Sequence, residues 1–398
     1  MQADEYFLGK QRIKGTQKVS KKALEAYFQQ QPNTTWLGIP WKLWIYSVGQ
    51  DSFDKKTIQQ RIARTETRFA AKIALAGDDL GKVERLEQKR AKKIQAYTKR
   101  LQKGNLLMRN GEPPVIYSPQ QRELTEQNLL VYLQSKGYFE AQVSSIIKLR
   151  NRRASITYHI QENSPHLIGV LRLNTDDSAI EQLLQAHQQQ SLLKAGDAYD
   201  QEVLREERER IYELLSNHGY FDFDRQYIWF NVDATAADNT VAIETVIGTP
   251  VDGQIHPVYQ IAQVTWDVEE ERPEEASHEE TASHSGIIFR NLRPQFKPYV
   301  LAKKLLLYPP QLYSKQDLLE ARRHLARLGM FKYINITYDV VGPGRLIPYI
   351  HTSPVDRFQL TGELGLQVSQ WLPTVFCKLS LAGKNLFGRL ETLKLGAQ

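Results

Sequence analysis

One pattern recurs three times and constrains this chain more than its composition does. Leu133-Gln134-Ser135-Lys136-Gly137-Tyr138-Phe139, Leu215-Ser216-Asn217-His218-Gly219-Tyr220-Phe221 and Leu325-Ala326-Arg327-Leu328-Gly329-Met330-Phe331 each place a Leu, a Gly four residues later and then a Phe. Each reads as the end of a helix. A helix commonly stops in the left-handed region, where glycine avoids the Cβ clash, and a following apolar residue packs back. Upstream, Ser118 with Pro119, Asp200 before Gln201-Glu202, and Ser314 with Asp317 supply the matching helix starts. Self-similarity at this spacing predicts a chain built from repeated supersecondary units.

The flanks of each helix fill in the unit. Downstream lie paired, alternating, β-branched stretches: Ala141 to Leu149 and Ser155 to Gln161, Gln226 to Val232 and Thr240 to Ile247, Tyr333 to Val341 and Leu346 to His351. Upstream, three first strands align as Tyr6-Phe7-Leu8-Gly9 to Ile13, His166-Leu167-Ile168-Gly169 to Leu173, and Tyr259-Gln260-Ile261-Ala262 to Trp266. A further helical stretch follows each first strand, at Lys18 to Gln30, Ser178 to Gln190 and Pro298 to Leu307. The predicted unit is β-α-α-β-β. Copy one carries a long insertion at residues 33–114, and copy three a shorter acidic one at residues 269–285 that reads as a solvated loop.

The last stretch differs in kind. From Phe358 to Ser369 the even positions are Phe, Leu, Gly, Leu, Leu and Val, and the odd ones are Gln, Thr, Glu, Gly, Gln and Ser. A transmembrane barrel strand needs about 9–11 residues with one apolar and one polar face. Two further strands are expected at Val375 to Ala382 and Arg389 to Leu395, with a turn at Gly383-Lys384-Asn385.

These residues resemble the polypeptide-transport-associated (POTRA) domains of the BamA/TamA superfamily of outer-membrane assembly factors. Three units before a barrel-type strand resemble the TamA branch. Gly383-Lys384-Asn385-Leu386-Phe387-Gly388 is similar to the start of the barrel in that superfamily. The long insertion, with Gly111-Glu112-Pro113-Pro114-Val115-Ile116-Tyr117 leading into the next helix, resembles the TamL variant. The expected architecture is α+β: three tandem β-α-α-β-β POTRA domains at residues 5–162, 165–249 and 256–354, then the first strands of a transmembrane β-barrel at residues 357–398. TamL proteins begin with a lipidated cysteine and a complete barrel has many more strands, so a trimmed portion of a longer, leader-processed protein is expected.

Composition narrows the chemistry. The formal charge of +7 favours an acidic partner, which could be nucleic acid, phospholipid or an acidic protein surface. The Lys82 to Lys103 run concentrates it, with Lys89, Arg90, Lys92, Lys93, Lys99 and Arg100 at its centre. It reads first as a solvated helix face and second as a surface for anionic headgroups or an acidic partner. Nucleic acid ranks below these, because only Tyr97 interleaves as a stacking aromatic. Trp36-Leu37-Gly38-Ile39-Pro40-Trp41-Lys42-Leu43-Trp44-Ile45-Tyr46 is expected to bury in the insertion's own small core, the alternative being an interfacial segment on a membrane. Cys377 is the one cysteine, so no intramolecular disulfide forms. No hydrolase, zinc-protease or phosphate-loop motif occurs, His278 and His284 read as solvated, and neither enzyme activity nor a cofactor is expected.

Function is therefore expected on the backbone. A small sheet under two helices leaves edge strands whose N–H and C=O groups accept an extended segment of another chain. The resemblance implies that the second of the three strands is that edge. The expected partner-binding residues are Gln226, Ile228, Phe230 and Val232 in copy two, and Tyr333, Asn335 and Thr337 in copy three. The resemblance further implies unfolded outer-membrane barrel proteins, a TamB-like inner-membrane-anchored protein and outer-membrane lipid as partners, and an outer-membrane location with the arm in the periplasm.

Overall fold

The computed structural model describes residues 5–77, 79–234, 238–250, 255–268, 281–292, 296–368 and 373–397. The chain divides into two compact units, Met1–His166 and Leu167–Gln398. The fold is mixed α and β; the order strand, helix, helix, strand, strand stands clear of further α-helices and strands in residues 167–247, and residues 7–161 and 260–354 carry extra helices or strands within it.

In the first unit β1 (Phe7–Lys14) leads to the short α1 (Lys21–Glu25). The insertion then supplies α2 (Trp41–Asp51), α3 (Lys55–Ala76), α4 (Leu80–Lys103) and α5 (Leu106–Asn110). The repeat resumes with α6 (Pro119–Ser135), β2 (Gln142–Arg150) and β3 (Arg153–Gln161). The sheet runs β1-β3-β2, with β1 parallel and β2 antiparallel to the central β3. Asn151 and Arg152, at φ 49° and 54°, form the turn between β2 and β3, the left-handed pair that a two-residue type I′ hairpin needs.

Alternate residues of β3 point one way, and Ile156, Tyr158 and Ile160 pack on Leu24, Leu129 and Leu133 of the helices. Burying one such leucine contributes about 1.5–3 kcal/mol. The buried Glu162 carboxylate accepts from the N–H groups of Gln17, Lys18 and Val19 at 3.1, 3.0 and 3.1 Å, tying the loop before α1 to the end of β3. The helix expected over Lys18 to Gln30 is only Lys21–Glu25. Beyond it the chain turns to side-chain partners, with the Gln30 carbonyl accepting from Gln11 Nε2 at 2.6 Å and Gln30 Nε2 donating to the Ile116 carbonyl.

The second unit begins with β4 (Leu167–Thr175), α7 (Ser178–Ala186), α8 (Gln201–Ser216), β5 (Ile228–Asp233) and β6 (Thr240–Ile247), in sheet order β4-β6-β5. Its third copy comprises β7 (Gln260–Ile261), β8 (Val264–Val268), β9 (Ala282–His284), β10 (Ile287–Arg290), α9 (Pro298–Ala302), β11 (Gln311–Leu312), α10 (Lys315–Arg327), β12 (Phe331–Val340) and β13 (Arg345–Pro354). Trp266 is fully buried in this core. Its indole N–H donates to Thr352 Oγ1 at 2.9 Å, as a buried donor must.

The acidic insertion of copy three is not wholly a loop. Residues 269–280, with His278, lie outside the described residues, but Ala282–His284 and Ile287–Arg290 form a hairpin. Ser285 and Gly286 turn it at φ 52° and 77°, and β10 pairs parallel with β8. The chain closes with an antiparallel sheet of β14 (Phe358–Val368), β15 (Pro373–Lys384) and β16 (Thr392–Ala397). Strand β15 extends beyond the expected Val375 to Ala382 at both ends, β16 is shifted toward the C-terminus from the expected Arg389 to Leu395, and Ser369 lies outside the described residues.

Four local devices repeat. Gly137, Gly219 and Gly329 take φ of 85°, 98° and 64° at the helix ends. Ser118, Asp200 and Ser314 cap the following turns through their side-chain oxygens. Two residues before each cap, Ile116, Ala198 and Leu312 pair antiparallel with Phe7, Leu167 and Gln260 at the start of the first strand. Just past that pairing the strand breaks register, at a bulge between Leu8 and Gln11, a second between Ile168 and Leu171, and the gap between β7 and β8.

Candidate functional site

The edges β2, β5 and β12 each pair on one side only among the described residues. In an antiparallel ladder, alternate residues point their N–H and C=O toward the partner, and the others point outward. Gly248 N–H donates to the Tyr227 carbonyl at 2.8 Å, and the register pairs Ile228 with Ile247. Trp229 and Asn231 therefore bond to β6, while Ile228, Phe230 and Val232 turn their backbone groups outward. The Ile228 N–H donates to the Arg225 carbonyl of the preceding 3-10 turn. The outward donors on β5 are then Phe230 and Val232.

The same logic applies to the other edges. Arg150 and Arg153 flank the two-residue turn as a hydrogen-bonded pair, so the outward backbone of β2 belongs to Val143, Ser145, Ile147 and Leu149. On β12, Val341 N–H donates to the Arg345 carbonyl at 3.1 Å, and the register pairs Val340 with Leu346. The outward residues there are Ile334, Ile336, Tyr338 and Val340.

Several expected site residues are thereby reassigned. Gln226 lies in the 3-10 turn Arg225–Tyr227 and not in the strand, because Asp224 caps that turn through its carboxylate. Ile228 is buried in the core with Tyr220 and Phe223, and Phe230 is half-buried with Arg208 over its ring at 5.8 Å. Both can offer a partner only backbone. Val232 is exposed. Tyr333, Asn335 and Thr337 direct their backbones at β13, so they present side chains and no free ladder. This parity depends on the closing turn, which residue type alone does not reveal.

The basic run forms most of α4. Lys89, Lys92, Lys93, Lys99 and Arg100 are exposed and Arg90 is half-buried. Lys93 Nζ lies 5.8 Å from the Phe69 ring of α3. Among the described residues no carboxylate lies within ion-pair distance of any of the six.

The tryptophan run departs from its expected burial. Trp36 is 68% exposed, Leu37 83% and Trp44 67%, with Ile39 and Trp41 also exposed. Trp36 and Ile39 exchange backbone hydrogen bonds at 2.9 Å around Leu37 and Gly38, at φ 50° and 81°. The α2 face that packs inward is held instead by Gly49 against Met108 and by the buried Asn105, whose Nδ2 donates to the Gly49 carbonyl at 2.6 Å.

In the terminal sheet, register puts Phe358, Leu360 and Leu364 on one face with Leu381, Leu379 and Val375, followed across by Leu393 and Leu395. Leu364 is 82% exposed. The opposite face pairs Thr361 with Ser380 and Glu363 with Lys378. Among the described residues, no helix is long and apolar enough to cross a membrane.

Residues 90–163 match the POTRA family model, described as surface antigen variable number repeat. That stretch is similar to a POTRA domain. The match runs from the middle of α4 through β3, leaving β1, which completes the sheet, outside it. No curated protein matches the chain. Among solved structures, it is similar to Haemophilus influenzae BamA POTRA3-5, with 13% identity over 88% of this chain and 96% of that one, at a TM-score of 0.34. BamA from Haemophilus ducreyi lacking POTRA domains 1-3 matches at 15% identity over 58% of this chain and 37% of that one, with a TM-score of 0.37. CdiB from Acinetobacter baumannii matches at 9% identity over 59% and 38%, with a TM-score of 0.29. The chain thus spans well under half of those last two structures.

Proposed function

We propose that this chain is the periplasmic arm, with the first barrel strands, of an outer-membrane protein assembly or translocation factor, TamL-like within the BamA/TamA superfamily. The POTRA match and the threefold β-α-α-β-β order support the reading, with copies two and three as further POTRA domains. The apolar face of β14–β16 would face lipid as the start of the barrel. The observation that carries the mechanism is the open edge of β5, where Phe230 and Val232 offer outward N–H groups while their ladder neighbours hold the strand in place.

On this reading, a segment of an unfolded barrel protein adds as a strand to β5 through main-chain hydrogen bonds, with no covalent step. A TamB-like inner-membrane-anchored protein is the partner proposed for the outermost copy. The test is photocrosslinking in cells from positions 230 and 232 of the full-length protein, paired with the double variant Phe230→Pro, Val232→Pro. Proline at these positions removes the outward donors and spares the ladder. Crosslinks to unfolded barrel proteins that vanish in the proline variant support capture. A folded variant that assembles clients normally sinks it.

A further inference from the structure

We propose that the Trp36–Ile39 turn and the outer face of α2 dock on an anionic phospholipid bilayer, with the basic insertion holding the chain to the charged surface. The inference stands apart from the strand-capture reading and would survive its failure.

The turn is built, and it is built to hold apolar groups in solvent. Glu112 anchors its base, accepting from Thr34 N–H at 2.7 Å, Thr34 Oγ1 at 2.6 Å and Lys42 Nζ at 3.0 Å. Asn33 Nδ2 donates to the Pro113 carbonyl at 2.8 Å, and Val115 N–H returns a bond to Asn33 Oδ1 at 3.1 Å. From this clamp projects a four-residue turn whose tip is Leu37, in a left-handed conformation that costs a bulky residue about 1–2 kcal/mol. Nothing lies within 4 Å of where a Cβ on Gly38 would sit. A strained, exposed leucine adds nothing to the fold of the free protein.

The apolar surface continues along the helix. Trp41, Trp44 and Val48 are exposed at i, i+3 and i+7 of α2, one stripe of a helix. Leu106 and Leu107 of α5 are exposed too. A protruding tip with three indoles in nine residues suits a bilayer interface, where an indole keeps its N–H in the headgroups and its ring in the acyl boundary.

Charge points to the same occupant. Residues 33–114 hold 17 Lys and Arg against 8 Asp and Glu, a net of +9 where the whole chain has +7, so the remainder is slightly acidic. On α4, Lys82, Arg85, Lys89, Lys92, Lys99 and Lys103 recur at helical spacing along one side, the arrangement that an anionic surface attracts.

The test uses the whole chain in a Cys377→Ser background, with a nitroxide on Leu37→Cys. The vesicles are phosphatidylcholine with phosphatidylglycerol, or phosphatidylcholine alone. On anionic vesicles the label should gain access to dissolved oxygen and lose access to a water-soluble nickel chelate. This local readout separates the tip from any vesicle binding by β14–β16. The pair Trp36→Glu, Trp44→Glu should weaken binding roughly tenfold or more without changing the melt, since both side chains are exposed. The triple Lys89→Glu, Lys92→Glu, Lys93→Glu should weaken it at low salt and much less at high salt. A label that stays water-exposed overturns the proposal, as does wild-type binding by the Trp variants. Self-association that depends on the tip would assign the patch to a second copy and overturn it equally.

Discussion

The Phe221 ring meets Tyr259 edge-on, with centroids 5.7 Å apart and planes at 73°. It sits equally against Tyr313 and Tyr338, at 5.1 and 5.4 Å. Phe221 follows the helix-ending glycine of copy two, whereas the three tyrosines belong to copy three, so the ring joins the two. The Tyr259 hydroxyl adds a hydrogen bond to Asp222, and Tyr259 N–H donates to the Gly219 carbonyl at 2.8 Å. Phe221→Ala should cost about 2 kcal/mol and separate the unfolding of the two copies, read by hydrogen exchange. A single unchanged transition would show the joint to be incidental.

The same joint should open in alkali. Burial and the bond to Asp222 push Tyr259 up to about 12, and burial beside Tyr212 and Asp222 pushes Tyr313 to about 12. Burial raises Tyr338 as well. A phenol raised in the folded state stabilises fully below its unfolded value of about 10, and that contribution is lost as pH rises toward the folded value. Melting temperatures should therefore fall between about pH 10 and 12 and fall less steeply in Tyr259→Phe. A wild-type slope no steeper than the variant's would contradict the assignment.

The three helix-ending glycines differ in a way that alanine substitution exposes. Gly329 has φ 64° and nothing within 4 Å of an added Cβ, so Gly329→Ala should cost only the backbone term, about 1 kcal/mol. At Gly219, φ is 98° and the Cβ would stand 2.6 Å from Val258 Cγ1, so Gly219→Ala should cost more than about 2 kcal/mol. Equal losses in denaturant melts would refute the distinction.

The features that the sequence made legible are those fixed by local chemistry. Gly137, Gly219 and Gly329 announce helix ends because φ is positive there, and Ser118, Asp200 and Ser314 announce starts because their oxygens accept from the first turn. Long-range choices were not legible. The hairpin β9–β10 was lost beneath the acidic run, although Ser285-Gly286 before Ile287-Ile288-Phe289 carried its signal. The exposure of Trp36 and Trp44 depends on Asn105 and Gly49 closing α2 against α5, and no residue count shows which face closes. The resemblance implies which strands are edges, but which residues turn donors outward is set by turns such as Asn151-Arg152 and by the Arg345 carbonyl.

Glu162 offers a test of how copy one is held together. Its two oxygens take three backbone N–H groups, and an amide keeps only one oxygen while turning an NH2 toward those donors. Glu162→Gln should cost about 2 kcal/mol and speed exchange of the Gln17 and Val19 amides. Unchanged exchange at both would mean the loop before α1 is held by other contacts.

Acid should release the tryptophan turn before it unfolds the rest of the first unit. Hydrogen bonds from the Thr34 hydroxyl and N–H, with Lys42 adding its charge, hold Glu112 down at about 2. A carboxyl lowered in the folded state stabilises fully above its ordinary value of about 4.3, and that contribution is lost as pH falls toward the folded value. Between these limits the clamp weakens, while the Glu162 loop and the β3 core keep the repeat folded. The Thr34 amide should then lose protection as pH drops toward about 2, at a pH where Ile156 and Tyr158 stay protected. Glu112→Gln should show that loss already at neutral pH, because the charge that strengthens the Thr34 and Lys42 bonds is gone. Simultaneous loss at Thr34 and Tyr158 would mean that the turn has no stability separate from the sheet.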